Sequence, residues 1–293
     1  MSEIERDPFT GRETTGHEWN GIKELDTPIP RGVLMFLIVT HLWAIAWWFL
    51  VPAWPLGTTY TKGLLWDDQH AIVEARVAAG EQQRAAWTTR LESEPYADIL
   101  ADEALMQTVR DTGRQLFGDN CAACHGRDGR GRANYPDLTD SDWLWGGTPE
   151  AIEQTMRVGI NTAHPDSRIG QMPAFGRDQM LDRQQVRDVA AYVYSLTNPD
   201  YSTPDNIEQI TRGREEFAAT CAACHGENAE GSFDFGAPNL TDPHWVYGGS
   251  MADIIASVHG GRQGHMPTWD ERLTTAEIRT LAAYVHDLGV QQP

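Results

Sequence analysis

The chain is polar over most of its length, and one stretch breaks that pattern. From Val33 to Val51 it reads VLMFLIVTHLWAIAWWFLV, with no Asp, Glu, Lys or Arg. At ~1.5 Å per residue this makes roughly 28 Å of helix, close to the ~30 Å hydrocarbon core of a bilayer. Trp47, Trp48 and Trp54 gather at its far end, where an aromatic belt belongs. Pro52 and Pro55 then stop the helix. The run begins after 32 mostly polar residues and is long for a signal peptide's apolar region, so a membrane span is expected. Lys23 and Arg31 before it and Lys62 after it give a small basic bias that puts the N-terminus in the cytoplasm. His41, in mid-span, is expected to be neutral and bonded to a neighbouring helix, since no second ionisable group in the span continues a proton path.

Beyond the span, residues 56–66 are irregular. A helix rich in Ala, Glu, Gln and Arg is expected from a cap at Asp67 or Asp68 to about Glu92, interrupted near Gly80. It serves either as a solvated spacer or as a docking helix.

From about Asp102 the chain repeats itself at a spacing of roughly 100 residues. Gly113, Arg114 and Phe117 return as Gly213, Arg214 and Phe217. Cys-Ala-Ala-Cys-His-Gly at 121–126 returns unchanged at 221–226. Leu138-Thr139-Asp140 with Trp143 returns as Leu240-Thr241-Asp242 with Trp245, Met172-Pro173 as Met266-Pro267, and Ala-Ala-Tyr-Val at 190–193 as the same four residues at 282–285. The first copy carries about eight extra residues around Asn161–Arg168. Each copy reads as three helices and long loops, without a strand pattern. The first helix runs into the Cys cluster. The second starts at Thr148-Pro149 or at Ser250, and the last at Asp182 with Gln185 or at Thr274 with Glu277. The repeats are joined by Thr197–Asn206, which contains Pro199 and Pro204.

Charge narrows the partners. The net charge is −19, from 42 acidic and 23 basic residues. Nucleic acid is thereby disfavoured, because phosphate contacts need clustered Lys and Arg. A basic protein partner, reached by long-range steering, is favoured over that, although acidity also serves solubility.

The four cysteines form two identical C-x-x-C-H clusters, the attachment pattern of c-type haem. Two Cys three positions apart on a helix lie on one side, so both sulfurs reach the vinyl groups of one porphyrin, and the adjacent His meets the iron. A thioredoxin-type dithiol needs a βαβ setting, and structural zinc needs closer pairs than these, which stand about 100 residues apart in separate repeats. Two covalently bound haems c are therefore expected, on Cys121, Cys124 and His125 and on Cys221, Cys224 and His225. Met172 and Met266, each in a Gly-x-Met-Pro loop, are the candidate sixth ligands. His/Met ligation leaves no open position and suits electron transfer. His164, His244, His259 and His265 stand as competing ligands, whereas Met156, four after Ile152, reads as core, and Met180 and Met251 lack the Met-Pro setting. Trp143 and Trp245 are expected against the porphyrin or the core. The default is that each Met serves its own repeat. A crossed arrangement, Met172 to the second haem and Met266 to the first, uses the same residues. No acid–base pair or nucleophile–base set appears, so no catalytic residue is assigned.

Asn20-Gly-Ile-Lys-Glu-Leu-Asp26, Pro28-Ile-Pro30-Arg31, the span, Pro52-Ala-Trp54-Pro55 and the two C-x-x-C-H repeats together resemble the third subunit of cbb3-type cytochrome c oxidases, the CcoP or FixP family. The resemblance covers nearly the whole chain. The family usually has Asp where Asn20 stands, and some relatives have two spans where one is found here. The resemblance implies an all-α fold: one N-terminal transmembrane helix followed by two tandem class I cytochrome c domains. Its parts would be a cytoplasmic tail (1–32), a span (33–54), a periplasmic linker (55–101) and haem domains at 102–200 and 205–293. It implies a single-pass protein of the bacterial inner membrane, N-terminus cytoplasmic and haem domains periplasmic. Electrons would come from a cytochrome c or the quinol–cytochrome c reductase. They would pass to the monohaem subunit and then to the haem–copper subunit, where dioxygen becomes water and protons are pumped. The chain itself would be no enzyme but an electron-transfer subunit. Rival readings are a dihaem cytochrome serving another dehydrogenase or reductase, and a dihaem peroxidase or gas sensor, which needs an iron that opens.

Overall fold

A computed structural model describes residues 3–65 and 69–290. They form two compact units, one up to Gln83 and one from Arg84 onward. Asp67 and Asp68, the expected helix cap, lie outside the described residues.

The first unit opens with two short antiparallel strands, β1 (Thr14–Trp19) and β2 (Ile22–Leu25), with Trp19 opposite Ile22. The turn is Asn20-Gly21, both at positive φ (51° and 85°), the backbone that a two-residue hairpin requires and that Asn-Gly supplies at least strain. This hairpin in the tail was not expected. Next comes α1 (Arg31–Leu50), entered through Pro30, which cannot itself continue a helix upstream. It is long and apolar enough to cross a membrane, with mean hydropathy 2.1, and none of its residues is buried. Its exposed carbonyl end is closed locally. Gly63, at φ 72°, turns the chain back, and the amides of Leu64 and Leu65 donate to Phe49 O (3.0 Å) and Leu50 O (2.8 Å). Trp43 stacks on Trp47 at 5.2 Å, and Trp48 meets Trp54 edge-on at 5.0 Å. His41 Nδ1 bonds Leu37 O of its own helix at 2.8 Å.

The helix α2 (Gln69–Ser93) runs unbroken through Gly80, against the expected interruption. A lone Gly costs only ~1 kcal/mol in a helix, and Ala, Glu, Gln and Arg on either side favour one. In the second unit, Leu91 near its end is fully buried beside Tyr96 and Ile99 of α3 (Tyr96–Ala101).

Each repeat supplies the three expected helices and one further turn. The first has α4 (Glu103–Asn120), a single turn α5 (Ala122–His125), α6 (Pro149–Val158) and α7 (Arg183–Thr197). The second has α8 (Ile207–Thr220), α9 (Ala222–His225), α10 (Met251–Gly260) and α11 (Thr275–Val290). The caps fall where the side chains predict: Asp102 accepts from Ala104 and Leu105, Thr148 from Ala151, and Asp182 and Ser250 close capping boxes.

The repeats stand in tandem along the chain, yet they exchange their last segments in space. The helix α7 packs on α8 and α10, and α11 packs on α4 and α6. Two cores result. One joins Phe117 and Met156 of the first repeat to Ile278, Leu281 and Ala282 of the second. The other joins Val186, Val189 and Val193 of the first repeat to Phe217, Ile254 and Val258 of the second. Glycines set both crossings. A Cβ on Gly113 would lie 2.6 Å from Tyr284 Cβ, and one on Gly213 would lie 1.9 Å from Asp188 O and 3.0 Å from Tyr192 Cβ. Phe117 then meets Tyr284 at 5.9 Å and Phe217 meets Tyr192 at 5.3 Å. Each buried Phe contributes roughly 1.5–3 kcal/mol by leaving water.

Candidate haem-binding sites

The two Cys clusters have one geometry. Cys121 caps α4, its amide donating to Phe117 O at 2.8 Å, and the His125 amide reaches Cys121 O at 3.0 Å. Gly126, at φ 77°, ends the turn. Cys221, Phe217, His225 and Gly226 repeat this, with bonds of 2.8 and 3.0 Å and a φ of 78°. The one turn of helix places Cys121 with Cys124, and Cys221 with Cys224, on one side. Cys124 and Cys224 reach the surface. Burial pushes the Cys121 thiol up to about 12 and the Cys221 thiol up to about 11. Neither is the low-pKa thiol that a dithiol redox site requires. Among the described residues no three His, Cys, Asp or Glu side chains gather around a common point, so the clusters do not build a zinc site.

Both histidines are held in the neutral form that a metal ligand requires. His125 Nδ1 donates to Pro136 O (3.2 Å) and His225 Nδ1 to Pro238 O (3.0 Å), which leaves Nε2 with its lone pair. Burial lowers both imidazole pKa values, and the carbonyl bonds oppose that shift. Metal coordination requires the neutral form that burial favours.

The methionines are brought to the cores by exchange. Met266 packs on the core that contains Cys121, and Met172 on the core that contains Cys221. Each is clamped to the other repeat by paired backbone bonds. Met266 N and O bond Ile160 O (3.1 Å) and N (2.9 Å), and Met172 N and O bond Arg262 O (2.8 Å) and N (3.1 Å). Ile160 and Arg262 follow the helix-ending glycines Gly159 and Gly261, whose missing Cβ atoms leave room, since each would lie 2.5 Å from the opposing Met carbonyl. The competing histidines are engaged elsewhere. His164 Nε2 lies 3.3 Å from Asp270 and its Nδ1 accepts from Asp166 N. His265 Nδ1 bonds Asn161 O, His244 Nδ1 faces Asp140 at 3.3 Å, and His259 lies against Gly176. Met156 is 5 % exposed within the core, as expected. Trp143 and Trp245 each pack at the edge of a core, under Gly147 and Gly249 respectively.

Two further features escaped the sequence. Arg168, at the end of the inserted loop, lies over Trp145 (5.2 Å), and its Nε is buried with no partner. Arg262 lies over Tyr247 (4.4 Å), the residue equivalent to Trp145. A half-buried guanidinium whose Nε lacks an acceptor, beside the Ile160–Met266 clamp, fits a cofactor that carries carboxylates, as haem does. In the loops after the Cys clusters, Asp142 faces Asp242 and is pushed up to about 6, first by burial and then by the Asp242 and Asp140 charges. Burial also raises Asp140.

Two repeated His-bearing C-x-x-C turns, each beside a helical core on which a clamped Met packs, define a c-type cytochrome. The comparisons narrow this. Residues 11–58 match the family described as the N-terminal domain of cytochrome oxidase-cbb3, FixP. Residues 111–197 match cytochrome c, and residues 208–285 match cytochrome c oxidase, cbb3-type, subunit III. The chain is 44% identical over 285 residues to the cbb3-type cytochrome c oxidase subunit FixP of Bradyrhizobium sp. (strain ORS 278), covering 97% of each chain. It is 43% identical to subunit CcoP of Cereibacter sphaeroides over 94% of each chain, and 41% identical to subunit CcoP of Azospirillum brasilense over 99% of each. The chain belongs to the FixP/CcoP family of cbb3-type cytochrome c oxidase subunits. Its cytochrome c domains indicate haem c, and it is an electron-transfer cytochrome c subunit.

Proposed function

We propose that the chain binds two haems c in crossed modules and relays single electrons within a cbb3-type oxidase. In the first module Cys121 and Cys124 would hold the haem through thioether bonds, and His125 and Met266 would ligate its iron. In the second, Cys221 and Cys224 would hold it, and His225 and Met172 would ligate its iron. The observation that carries this reading is the pair of reciprocal backbone clamps, which fix each Met against the core of the other repeat's Cys cluster. When bound, haem supplies one-electron redox chemistry at a low-spin iron. The chain's part is to hold it. Pro136 and Pro238 orient the imidazoles, the clamps keep a weak thioether in place, and the apolar cores exclude water. Arg168 balances cofactor carboxylate.

Electrons enter from a donor cytochrome c or the quinol–cytochrome c reductase. They leave towards the monohaem and haem–copper subunits, where dioxygen is reduced and protons are pumped. The helix α1 anchors the chain in the bacterial inner membrane with the N-terminus in the cytoplasm and the modules in the periplasm; its length and composition and the Lys/Arg bias support this. The test is purification of tagged full-length chain from its membrane. Two haems per polypeptide on a haem-stained denaturing gel, six-coordinate low-spin spectra and a co-purifying haem–copper subunit are expected. A colourless polypeptide would overturn the haem assignment. A haem that binds carbon monoxide rapidly would favour the gas-binding alternative, and absence of the haem–copper subunit would remove the oxidase role.

A further inference from the structure

The two modules are alike in backbone but opposite in charge at the loop that follows each Cys cluster. Both loops are tied back to their His by the same bond, from Gly131 N to His125 O and from Gly231 N to His225 O, each 2.8 Å. Gly129 and Ala229 occupy the same left-handed position in them (φ 77° and 62°), and Leu138 N and Leu240 N close them at 2.7 and 2.8 Å. The two loops are therefore equivalent surfaces of the two modules.

Before Pro136 the first loop carries Arg127, Arg130 and Arg132 with one acid, Asp128. The second carries Glu227, Glu230 and Asp234 and no basic residue. All seven of these side chains are exposed. The second loop also holds a pair of exposed aromatics, Phe233 (62 % exposed) and Phe235 (53 %), on either side of Asp234. Two large rings on a surface loop lose favourable burial unless a partner covers them. Ser232 and Ala237 pin the loop that bears them by two backbone bonds, 2.9 and 3.0 Å. The rings are thus presented on a fixed turn, and docking loses little loop entropy. Cys224, whose thioether would bring one edge of the ring system to the surface, is exposed beside this loop.

From this asymmetry we infer that the second module's loop, residues 226–237, is the docking surface for a basic one-electron redox protein. The proposal rests on the reading of Cys221, Cys224 and His225 as a haem site. The occupant's chemistry follows from the surface: Lys or Arg around an apolar redox edge, the carboxylates steering it and the two rings forming the dry centre. The first loop, with three Arg to one Asp, repels the same partner, so electrons enter at the second module.

Binding decides it without turnover. A lysine-rich monohaem cytochrome c, oxidised, is titrated against the oxidised holoprotein, full-length in detergent, at several salt concentrations. Glu227→Lys, Glu230→Lys and Asp234→Lys together should weaken binding by about tenfold or more at low salt and flatten its salt dependence. Phe233→Ala with Phe235→Ala should weaken binding severalfold and leave the salt slope unchanged. Arg127→Glu, Arg130→Glu and Arg132→Glu together should leave the dissociation constant at the wild-type value or lower it. Wild-type affinity in the acidic-loop variant overturns the proposal, as does equal loss in the Arg-loop variant. Protection of Phe233 and Phe235 from surface labelling in purified oxidase before donor is added also overturns it. Haem content and spectrum of every variant are read in parallel, so failure of the docking surface is distinct from failure of the haem assignment.

Discussion

Met172 and Arg262 exchange two backbone hydrogen bonds, 2.8 and 3.1 Å long, across the boundary between the repeats, and Met266 and Ile160 do the same. Because Arg262 directly follows the cap of α10, this bond carries the first repeat's methionine to the second repeat's helices. The expected consequence is crossed ligation. In a chain reduced to one cofactor by Cys121→Ala and Cys124→Ala, Met172→Ala should open the remaining haem to carbon monoxide, and Met266→Ala should leave it closed. If that chain fails to fold, the reduced two-haem protein answers the same question by NMR. The Met266 methyl should then show cross-relaxation to the thioether protons of Cys121 and Cys124. Contacts to Cys221 and Cys224 instead would mean that each repeat ligates itself.

Exchange of α7 and α11 depends on two close helix crossings. The Gly213 position faces backbone, since a Cβ there would lie 1.9 Å from Asp188 O and 2.5 Å from its carbonyl carbon. At Gly113 the obstacle is the Tyr284 side chain at 2.6 Å. Overpacking of this kind costs about 1–3 kcal/mol, and backbone yields less readily than a side chain. Gly213→Ala should therefore lower the melting temperature of the full chain more than Gly113→Ala. At about 2–4 °C per kcal/mol, a loss of several degrees is expected for Gly213→Ala. Equal and negligible losses in thermal melts would show that the helices separate at no cost.

Features set by neighbours in sequence were legible before the structure. The apolar run, the proline stops, the capping residues at Asp182, Ser250 and Thr274 and the Cys-Ala-Ala-Cys-His turns all fall where expected. Asn20-Gly21 also carried a local hairpin signal, overlooked because the tail around it has little apolar alternation. The exchange was not legible, for a physical reason. The helices α7 and α11 share Ala-Ala-Tyr-Val, and α4 and α8 share the Gly and Phe that receive it, so either pairing satisfies the pattern. The bonds that tie each Met to the other repeat run between backbone atoms, so the residue types at those positions do not report them.

Asp142 and Asp242 come from equivalent loops of the two repeats, and a proton between them is the simplest way to satisfy both. Asp242 Oδ2 is buried with no partner among the ordinary donors, and a protonated Asp142 supplies one. With its folded pKa raised from 3.8 to about 6, Asp142 holds more proton in the folded state than in the unfolded state between those values. Its contribution to stability therefore falls as pH rises through that window, and the charged pair opposes folding above it. Asp142→Asn removes this opposition. It should raise the melting temperature more at pH 7 than at pH 4, where wild type already carries the proton. A gain independent of pH would place the proton elsewhere.

Arg168 reaches its place by an unusual route. In the second repeat the guanidinium over Tyr247 belongs to Arg262, the first residue after Gly261. In the first repeat that position is Ile160, and the inserted loop returns Arg168 beside it, its amide donating to Gly159 O at 3.1 Å. Two different chain paths thus deliver a cation to an aromatic ring at the same point of each module. They differ in how the cation is satisfied. Arg262 Nε donates to Ser257 Oγ at 2.9 Å, whereas Arg168 Nε is buried without an acceptor and burial lowers its pKa. Arg168, whose Nη2 donates to Ala151 O at 3.3 Å while its Nε lacks an acceptor, is the one that gains most from a cofactor carboxylate. A positive charge near an iron favours the reduced state, so Arg168→Gln should lower the potential of the haem on Cys121 by on the order of tens of millivolts. Arg262→Gln should move the other haem less, because Ser257 already shares that guanidinium. Spectroelectrochemical titration of the full chain, with haem content checked, measures both. An unchanged or raised potential in Arg168→Gln would show that its buried nitrogen does not face the cofactor.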